Sequence, residues 1–482
     1  MANFNRPKQP KATTKTVNKA GGQAFIQTSE MEFVSMLVTS FAADKFYEKA
    51  DETFERIKTA LTQIDPLFAA KAAVFARRKY GMRSISHFAA ATLAPHLTGK
   101  DWGADFYNAV VNRPDDMLEI AAIFMANGGK IPNSLKRGFA KAIGRFDSYQ
   151  LAKYRGEGKG VKLVDIVNLV HPKPNERNGE ALKNLVGGSL KNEATWEALL
   201  SKAGQGDDVE ASKAEAWEAL INSGKMPYFA LLRNLRNILQ QNPKLTGRVC
   251  ELICDEKAIK RSLVLPFRYP TAFAEIQKLP QDKNTRLVLE AIAKALDISC
   301  SNVPDFDGNT LAVVDVSGSM GNKDDNKSPA GIAGLFAAVM CRAMKCDLMF
   351  FDDSARYQNY DPTDSAMSIF GKFRFSAGGT NFHSIFQTAK KAYDRIIILS
   401  DMQGWMGGFT PTAAFSAYKS KYDCNPFIYS FDLQGYGTLQ FPENKVFCLA
   451  GFSDKVFDTM ALLEKDKAAL LSEIQAIDLA EF

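Results

Sequence analysis

Five oxygen-bearing side chains between residues 315 and 401 stand at or near the ends of apolar runs or in a glycine-rich turn. Asp315, Ser317 and Ser319 fall at alternate positions in LAVVDVSGSM, residues 311–320. Thr380 lies in SAGGTNF, where Gly378 and Gly379 let the backbone come close, and Asp401 closes RIIILSD. One carboxylate and two hydroxyls form a hard, weakly charged oxygen set suited to Mg²⁺ (or Mn²⁺), too sparse to fill an octahedron alone. Thr380 and Asp401 are the candidates for the rest. The set leaves an open position, with Asp315 ligating directly or through water and Asp401 mainly through water. The plainer alternative is that Asp315 caps a helix while the serines line a turn.

The elements that must hold such a site are legible around it. LAVVDV, CDLMFF, RIIILS, PFIYSFD and KVFCLA read as strands, the first apolar enough to be buried on both faces. Helical patterns in SPAGIAGLFAAVMCRAM, NFHSIFQTAKKAY and TPTAAFSAYKSKY separate them, and a last one runs from Ser453. That alternation predicts a doubly wound, Rossmann-like α/β domain over 301–482, with the oxygens at the carboxyl ends of its strands. D-x-S-x-S, a later Thr after a double glycine and an Asp closing a later strand resemble the metal-ion-dependent adhesion site (MIDAS) of von Willebrand factor A domains.

At 482 residues and 46% apolar content the chain has room for two to four domains with real cores. No apolar run reaches the length of a membrane span and no charged-then-apolar leader opens the sequence. Seven scattered cysteines fit a reducing compartment, so a cytoplasmic protein with no membrane association is expected. The net charge of +6 is unevenly spread: residues 301–482 hold 16 Lys and Arg against 22 Asp and Glu, leaving 44 against 32 in residues 1–300. A basic half beside an acidic one points to a polyanionic partner, with nucleic acid the commonest.

Residues 1–22 carry Arg6, Lys8, Lys11, Lys15 and Lys19 among Pro, Thr and Asn, and read as a flexible basic arm. Residues 23–300 read as one helix after another with short breaks, an all-helical array of HEAT-like pairs. LVDIVNLV shows the pattern, with Leu163, Ile166, Val167 and Val170 at i, i+3, i+4 and i+7. In IPNSLKRGFAKAIGRF, Lys136 precedes a stripe of Arg137, Lys141 and Arg145 at i, i+4 and i+8, and the first acid is Asp147. Such a stripe can track phosphates. MPYFALLRNLRNIL turns Arg233 and Arg236 away from an apolar stripe, beside Asn234 and Asn237. Arginine with asparagine suits phosphates and base edges, and equally suits hydrogen bonds between helices. AIKRSLVLPFRYP adds Lys260, Arg261 and Arg268.

These segments carry a second resemblance. NKAGGQAF, VFARRKYGMRS, IPNSLKRGFAKAI, DSYQLAKY, LVHPKP, KMPYFALLRNL and KRSLVLPFRYPTA, in this order, are similar to the TROVE module of Ro ribonucleoproteins. The resemblance covers nearly the whole chain, because that module precedes a von Willebrand A domain in the family. It implies an α plus α/β fold, a HEAT-like helical-repeat ring closed by the A domain, working as a monomer. It also implies an RNA-binding, ribonucleoprotein function in RNA quality control. Single-stranded 3′ ends of misfolded or small non-coding RNA would enter the central hole, near Arg233, Arg236, Lys260 and Arg261. Structured Y-like RNA would meet the rim at Lys153, Arg155 and His171, and an exoribonuclease would be a partner. Between Lys153 and His171 this chain reads RGEGKGVKLVD, where the family is often more basic, so the rim is expected to be the weaker site.

No P-loop, nucleophile elbow, H-E-x-x-H or paired-cysteine zinc motif appears. Phosphoryl transfer on two metals needs more carboxylates than Asp315 and Asp401, and Asp352 and Asp353 read as a surface loop. A non-enzymatic RNA binder is the expectation. The alternative is a protein-interaction scaffold whose metal site grips a partner carboxylate.

Overall fold

The computed structural model describes residues 14–17, 23–26, 28–39, 50–128, 130–190, 196–204, 208–224, 226–262, 264–325, 328–401, 411–433, 446–450, 456–465 and 469–482. The chain forms two compact units. One is α/β and takes the Ser29–Thr39 helix together with residues 305–470; the other is helical and takes residues 56–304 and 471–482. The fold class is the one expected, α plus α/β, but each unit borrows a segment from the far end of the sequence.

The borrowing has visible causes. The Ser29–Thr39 helix buries Phe33, Val34, Met36, Leu37 and Val38 and packs on elements near the end of the α/β unit. At the other end, Lys71 Nζ donates to the Gln475 carbonyl at 2.7 Å, Lys79 pairs with Glu473, and the Arg78 guanidinium lies 4.8 Å from the Phe482 ring centre. Of the expected basic arm, residues 1–13 and 18–22 lie outside the described residues. Thr14–Val17 does not fit a flexible arm: it is a strand, β1, antiparallel to β2, Gln23–Ile26. Its Thr and Val residues are β-branched, which favours that state.

In the helical unit, helices pack chiefly on near neighbours in sequence. Pro66–Arg78 begins at Asp65, whose carboxylate accepts from Phe68 N at 2.9 Å, with Pro at the first position. Asn133–Ile143 lies against Gly103–Val110, and the contact depends on Gly138. A Cβ there would meet Tyr107 Cβ at 2.4 Å and the Ala104 carbonyl oxygen at 2.6 Å. On the Pro66–Arg78 helix Arg77, fully enclosed, pairs with Asp116, its Nε and Nη2 donating to Oδ2 at 3.0 and 2.8 Å. His87 Nε2 lies 2.9 Å from the other Asp116 oxygen, and the backbone N–H groups of Asn112 and Arg113 donate to the same carboxylate. Burial by itself would raise the Asp116 carboxyl, but His87 and Arg77 more than offset it and hold the group well below the usual carboxylate range.

The α/β unit is built on β3 (Thr310–Asp315), β4 (Asp347–Phe351), β5 (Ala355–Gln358), β6 (Arg395–Ser400), β7 (Phe427–Asp432) and β8 (Val446–Ala450). They lie in the order β5-β4-β3-β6-β7-β8, parallel throughout except for β5, which runs antiparallel to β4. β3 and β6 are buried at every residue. One face packs Leu311, Val313, Ile396 and Ile398 under Phe382, Phe386, Phe415 and Tyr418. On the other, Phe336 stacks on Phe457, ring centres 5.0 Å apart and planes 4° from parallel. The strand order reverses between β3 and β6, and the crevice at their carboxyl ends is where such sheets bind ligands.

Candidate functional site

Asp315 ends β3 and Asp401 follows β6, so two carboxyl groups reach that crevice from neighbouring parallel strands. Both are buried. Ser317 N donates to Asp315 Oδ1 at 2.9 Å and Ser400 Oγ to Asp315 Oδ2 at 2.7 Å, which leaves a lone pair on each oxygen. Ser317 Oγ and Ser319 Oγ lie 3.2 Å apart. The loop carrying Thr380 is fastened alongside: Ser317 forms a parallel bridge with Gly378, Gly318 N donates to the Gly378 carbonyl at 3.0 Å, and Ala377 N donates to the Val316 carbonyl at 3.0 Å. Thr380 is buried.

The five expected residues therefore come from the ends of two central strands and one loop stitched to them. Burial and the neighbouring Asp401 push the Asp315 carboxyl up to about 7, against the hydrogen bonds from Ser317 and Ser400. Two buried acids with hydroxyls around them are a donor set that a hard divalent cation fits. Among the described residues no group of three or more His, Cys, Asp or Glu is gathered to hold a metal, so any ion here relies on hydroxyl and water oxygens.

Sequence reasoning missed the residues that build the Thr380 loop. Asp352 accepts from Ser376 Oγ, from Ser354 N at 3.2 Å and from Arg356 Nη1 at 3.1 Å. Asp353 Oδ1 accepts from Gly379 N at 2.9 Å and its carbonyl from Asn381 Nδ2 at 3.0 Å. At Gly378 a Cβ would approach Asp353 Oδ2 to 2.9 Å and Asp352 Cβ to 3.1 Å, so the close packing needs glycine. The pair expected in a plain surface loop holds the site's third strand of chain.

The basic candidates scatter. On the Asn133–Ile143 helix Arg137 is exposed and Lys136 half-buried. Lys141 Nζ is 2.6 Å from Asp105, an acid supplied by the neighbouring helix. Arg145 Nη2 donates to the Asn108 and Val111 carbonyls, both at 2.7 Å, and burial lowers its pKa. Arg145 thus caps the Gly103–Val110 helix, and the stripe reduces to Arg137 with a partly neutralised Lys141. Farther on, Lys153 lies 5.8 Å from the ring centres of Tyr149 and Tyr154. Arg155 donates to the Leu190 carbonyl and pairs with Glu157 at 2.9 Å. His171 is exposed, the left-handed C-cap of Leu163–Val170.

A different group converges. The Tyr228–Gln241 helix buries Leu231, Leu232, Leu235, Ile238 and Leu239 and turns Arg233 and Arg236 outward. Tyr228 OH, donating to the Ile253 carbonyl at 2.7 Å and lying 2.9 Å from Tyr269 OH, pins the helix start to the Tyr269–Gln277 helix. Between the two helices opens a cleft of about 580 Å³ lined by Phe229, Arg233, Arg236, Arg268, Thr271 and Glu275 among others. Arg236 pairs with Glu275 at 3.0 Å. Lys260 and Arg261, exposed in the last turn of Glu256–Ser262, do not line the cleft.

Comparison with known proteins supplies the frame for these sites. The TROVE domain model matches residues 24–203 and 183–303. The telomerase protein component 1 of Mus musculus is 22% identical over 353 aligned residues, and that of Rattus norvegicus likewise. In each case the match covers 53% of this chain and only 13% of the relative, so the chain spans a small part of those proteins. The RNA-binding protein RO60 of Deinococcus radiodurans is 26% identical over 482 aligned residues, covering 87% of this chain and 89% of that one. The crystal structure of the Deinococcus radiodurans RO (RSR) protein matches with a TM-score of 0.65 at 19% identity, over 90% of this chain and 98% of the other, which shows a shared fold.

Proposed function

This chain belongs to the TROVE domain family, and from that premise we propose that it binds RNA, taking the single-stranded 3′ ends of misfolded or small non-coding RNA as in RNA quality control. The observation that carries the reading is the cleft between Tyr228–Gln241 and Tyr269–Gln277. There Arg233, Arg236 and Arg268, drawn from separate segments of sequence, meet one acid, Glu275. Guanidinium groups grouped on one surface neutralise phosphates, and with an exposed aromatic, Phe229, beside them they suit an unpaired strand whose bases can stack.

Structured RNA has the weaker claim on this chain. Of the three rim candidates, Arg155 is engaged by the Leu190 carbonyl and Glu157. In the α/β unit, Asp315, Ser317, Ser319, Thr380 and Asp401 would hold Mg²⁺ or Mn²⁺ in the manner of a von Willebrand A domain. The ion would supply a Lewis-acidic position for an oxygen ligand.

The test uses two probes with the full-length protein, a blunt hairpin and the same hairpin with a single-stranded 3′ tail. The tailed probe is expected to bind more tightly, and Arg233→Glu to remove most of that gain. Equal binding of both probes, unaffected by the substitution, would end the reading.

A further inference from the structure

Phe229 is an aromatic left in solvent at the mouth of a basic cleft. It sits off the apolar stripe of its helix, one turn before Arg233, and keeps 39% of its surface exposed. The guanidinium carbons of Arg233 and Arg268 each lie 5.8 Å from its ring centre, near the ~6 Å outer limit for a cation over a ring. Both cations are thus beside the ring without sealing it. The cleft of about 580 Å³ falls within the ~300–1,000 Å³ span of small-ligand sites. Three guanidiniums against the single carboxylate of Glu275 make it electropositive, while Leu232, Leu235 and Ala272 give it an apolar floor.

A flat, apolar-faced group joined to negative charge satisfies every part of that lining, and an unpaired nucleotide is such a group. We infer that Phe229 is the stacking platform of a single-nucleotide subsite, on which one base lies while the phosphates on either side of it pair with Arg233 and Arg268. The inference rests on the RNA-binding reading and adds to it a base-dependent term that phosphate contacts alone cannot supply. Stacking is tolerant of sequence because every base has a π-face, so the subsite selects single-stranded over paired RNA and not one base over another.

The experiment measures binding of the full-length protein to 5′-labelled decauridylate and to an abasic sugar-phosphate decamer of equal length, across a salt series. Phe229→Leu is expected to weaken decauridylate about ten-fold with an unchanged salt slope, and to leave the abasic probe unaffected. Phe229→Tyr is expected to restore the affinity, and the added emission of Phe229→Trp to be quenched on binding. Arg233→Gln should instead lower the salt slope by about 0.7 for both probes. If Phe229→Leu binds decauridylate as tightly as wild type does, the stacking subsite is wrong and the RNA reading stands. If polyglutamate competes as well as decauridylate, the cleft is a site for acidic protein and the subsite is again wrong. Wild type that binds neither probe at low salt removes the RNA reading and the subsite together.

Discussion

Gly379 donates its backbone N–H to Asp353 Oδ1 at 2.9 Å, tying the loop that carries Thr380 to the end of β4. With Asp352 holding Ser376 and Asn381 N, this bond sets where the Thr380 hydroxyl sits relative to Asp315. Asp353→Ala is therefore expected to lower Mn²⁺ affinity about ten-fold, the usual scale for loss of an outer-shell partner, with no change in stoichiometry. Isothermal titration calorimetry checks it; an unchanged affinity would mean that the loop holds its place without Asp353.

Asp315 supplies the sharper test of the metal. Its carboxyl is buried beside Asp401, and both burial and that neighbouring charge disfavour its ionised form, so neutralising it removes a repulsion as well as a ligand. In chelator, Asp315→Asn is expected to melt at or above the wild-type temperature. Mn²⁺ at a hundred times its Kd should stabilise wild type by about 2.7 kcal/mol and leave the variant where it was. Equal stabilisation of both, read by differential scanning calorimetry, would refute the ligand set.

Asp116 governs the helical unit in a different way. Asp116→Asn leaves Arg77 enclosed without its counter-charge, and a cost of about 3–5 kcal/mol at neutral pH is expected. The folded-state carboxyl lies below its unfolded value of ~3.9, so its contribution is complete above that value and is lost as pH falls through the folded one. The stability gap between wild type and variant should accordingly narrow below pH ~4. Urea unfolding followed by circular dichroism at neutral and acid pH measures both.

Arg137 and Arg145 should part company. Arg145 spends its guanidinium on two carbonyls, so Arg145→Gln is expected to cost about 1–3 kcal/mol of stability and leave the salt slope of RNA binding alone. Arg137 is exposed, and Arg137→Gln should lower that slope by about 0.7 while leaving the melting temperature unchanged. The opposite pattern would make the stripe, and not the cap, the role of Arg145.

Much of the architecture is legible in the sequence. β3 and β6 announce themselves because strands buried on both faces carry unbroken apolar runs, Leu311–Val314 and Ile396–Leu399, and the Asp residues that close them mark the crevice. β5 was not legible: Ala355–Gln358 is a half-buried edge whose register comes from pairing with β4, and ARYQ has no apolar period to show it. NFHSIFQTAKKAY looked helical to its end, yet the helix stops at Thr388, where Lys390 N turns to donate to Tyr357 OH. The same limit applies to charge. The stripe after Pro132 seemed free of acids because Asp105 and the Val111 carbonyl lie dozens of residues away in sequence and beside it only in the fold. Conversely, the Phe229 cleft gathers Arg268 to Arg233 through helix packing that no single-segment pattern contains.

Each unit of this chain is completed by a segment from the opposite end of the other, and that arrangement constrains how the molecule can be made. The Ser29–Thr39 helix leaves the ribosome early, with five apolar residues whose neighbours, β8 among them, are synthesised only after the entire helical unit. The helical unit, in turn, waits for residues 471–482 before Arg78 and Lys79 meet Phe482 and Glu473. Neither can be released by a single cut at their junction. A protease nick or stop codon near residue 305 would leave one fragment with an orphaned greasy helix and an open seam, and in the intact chain that helix keeps its apolar residues uncovered until its partners are made.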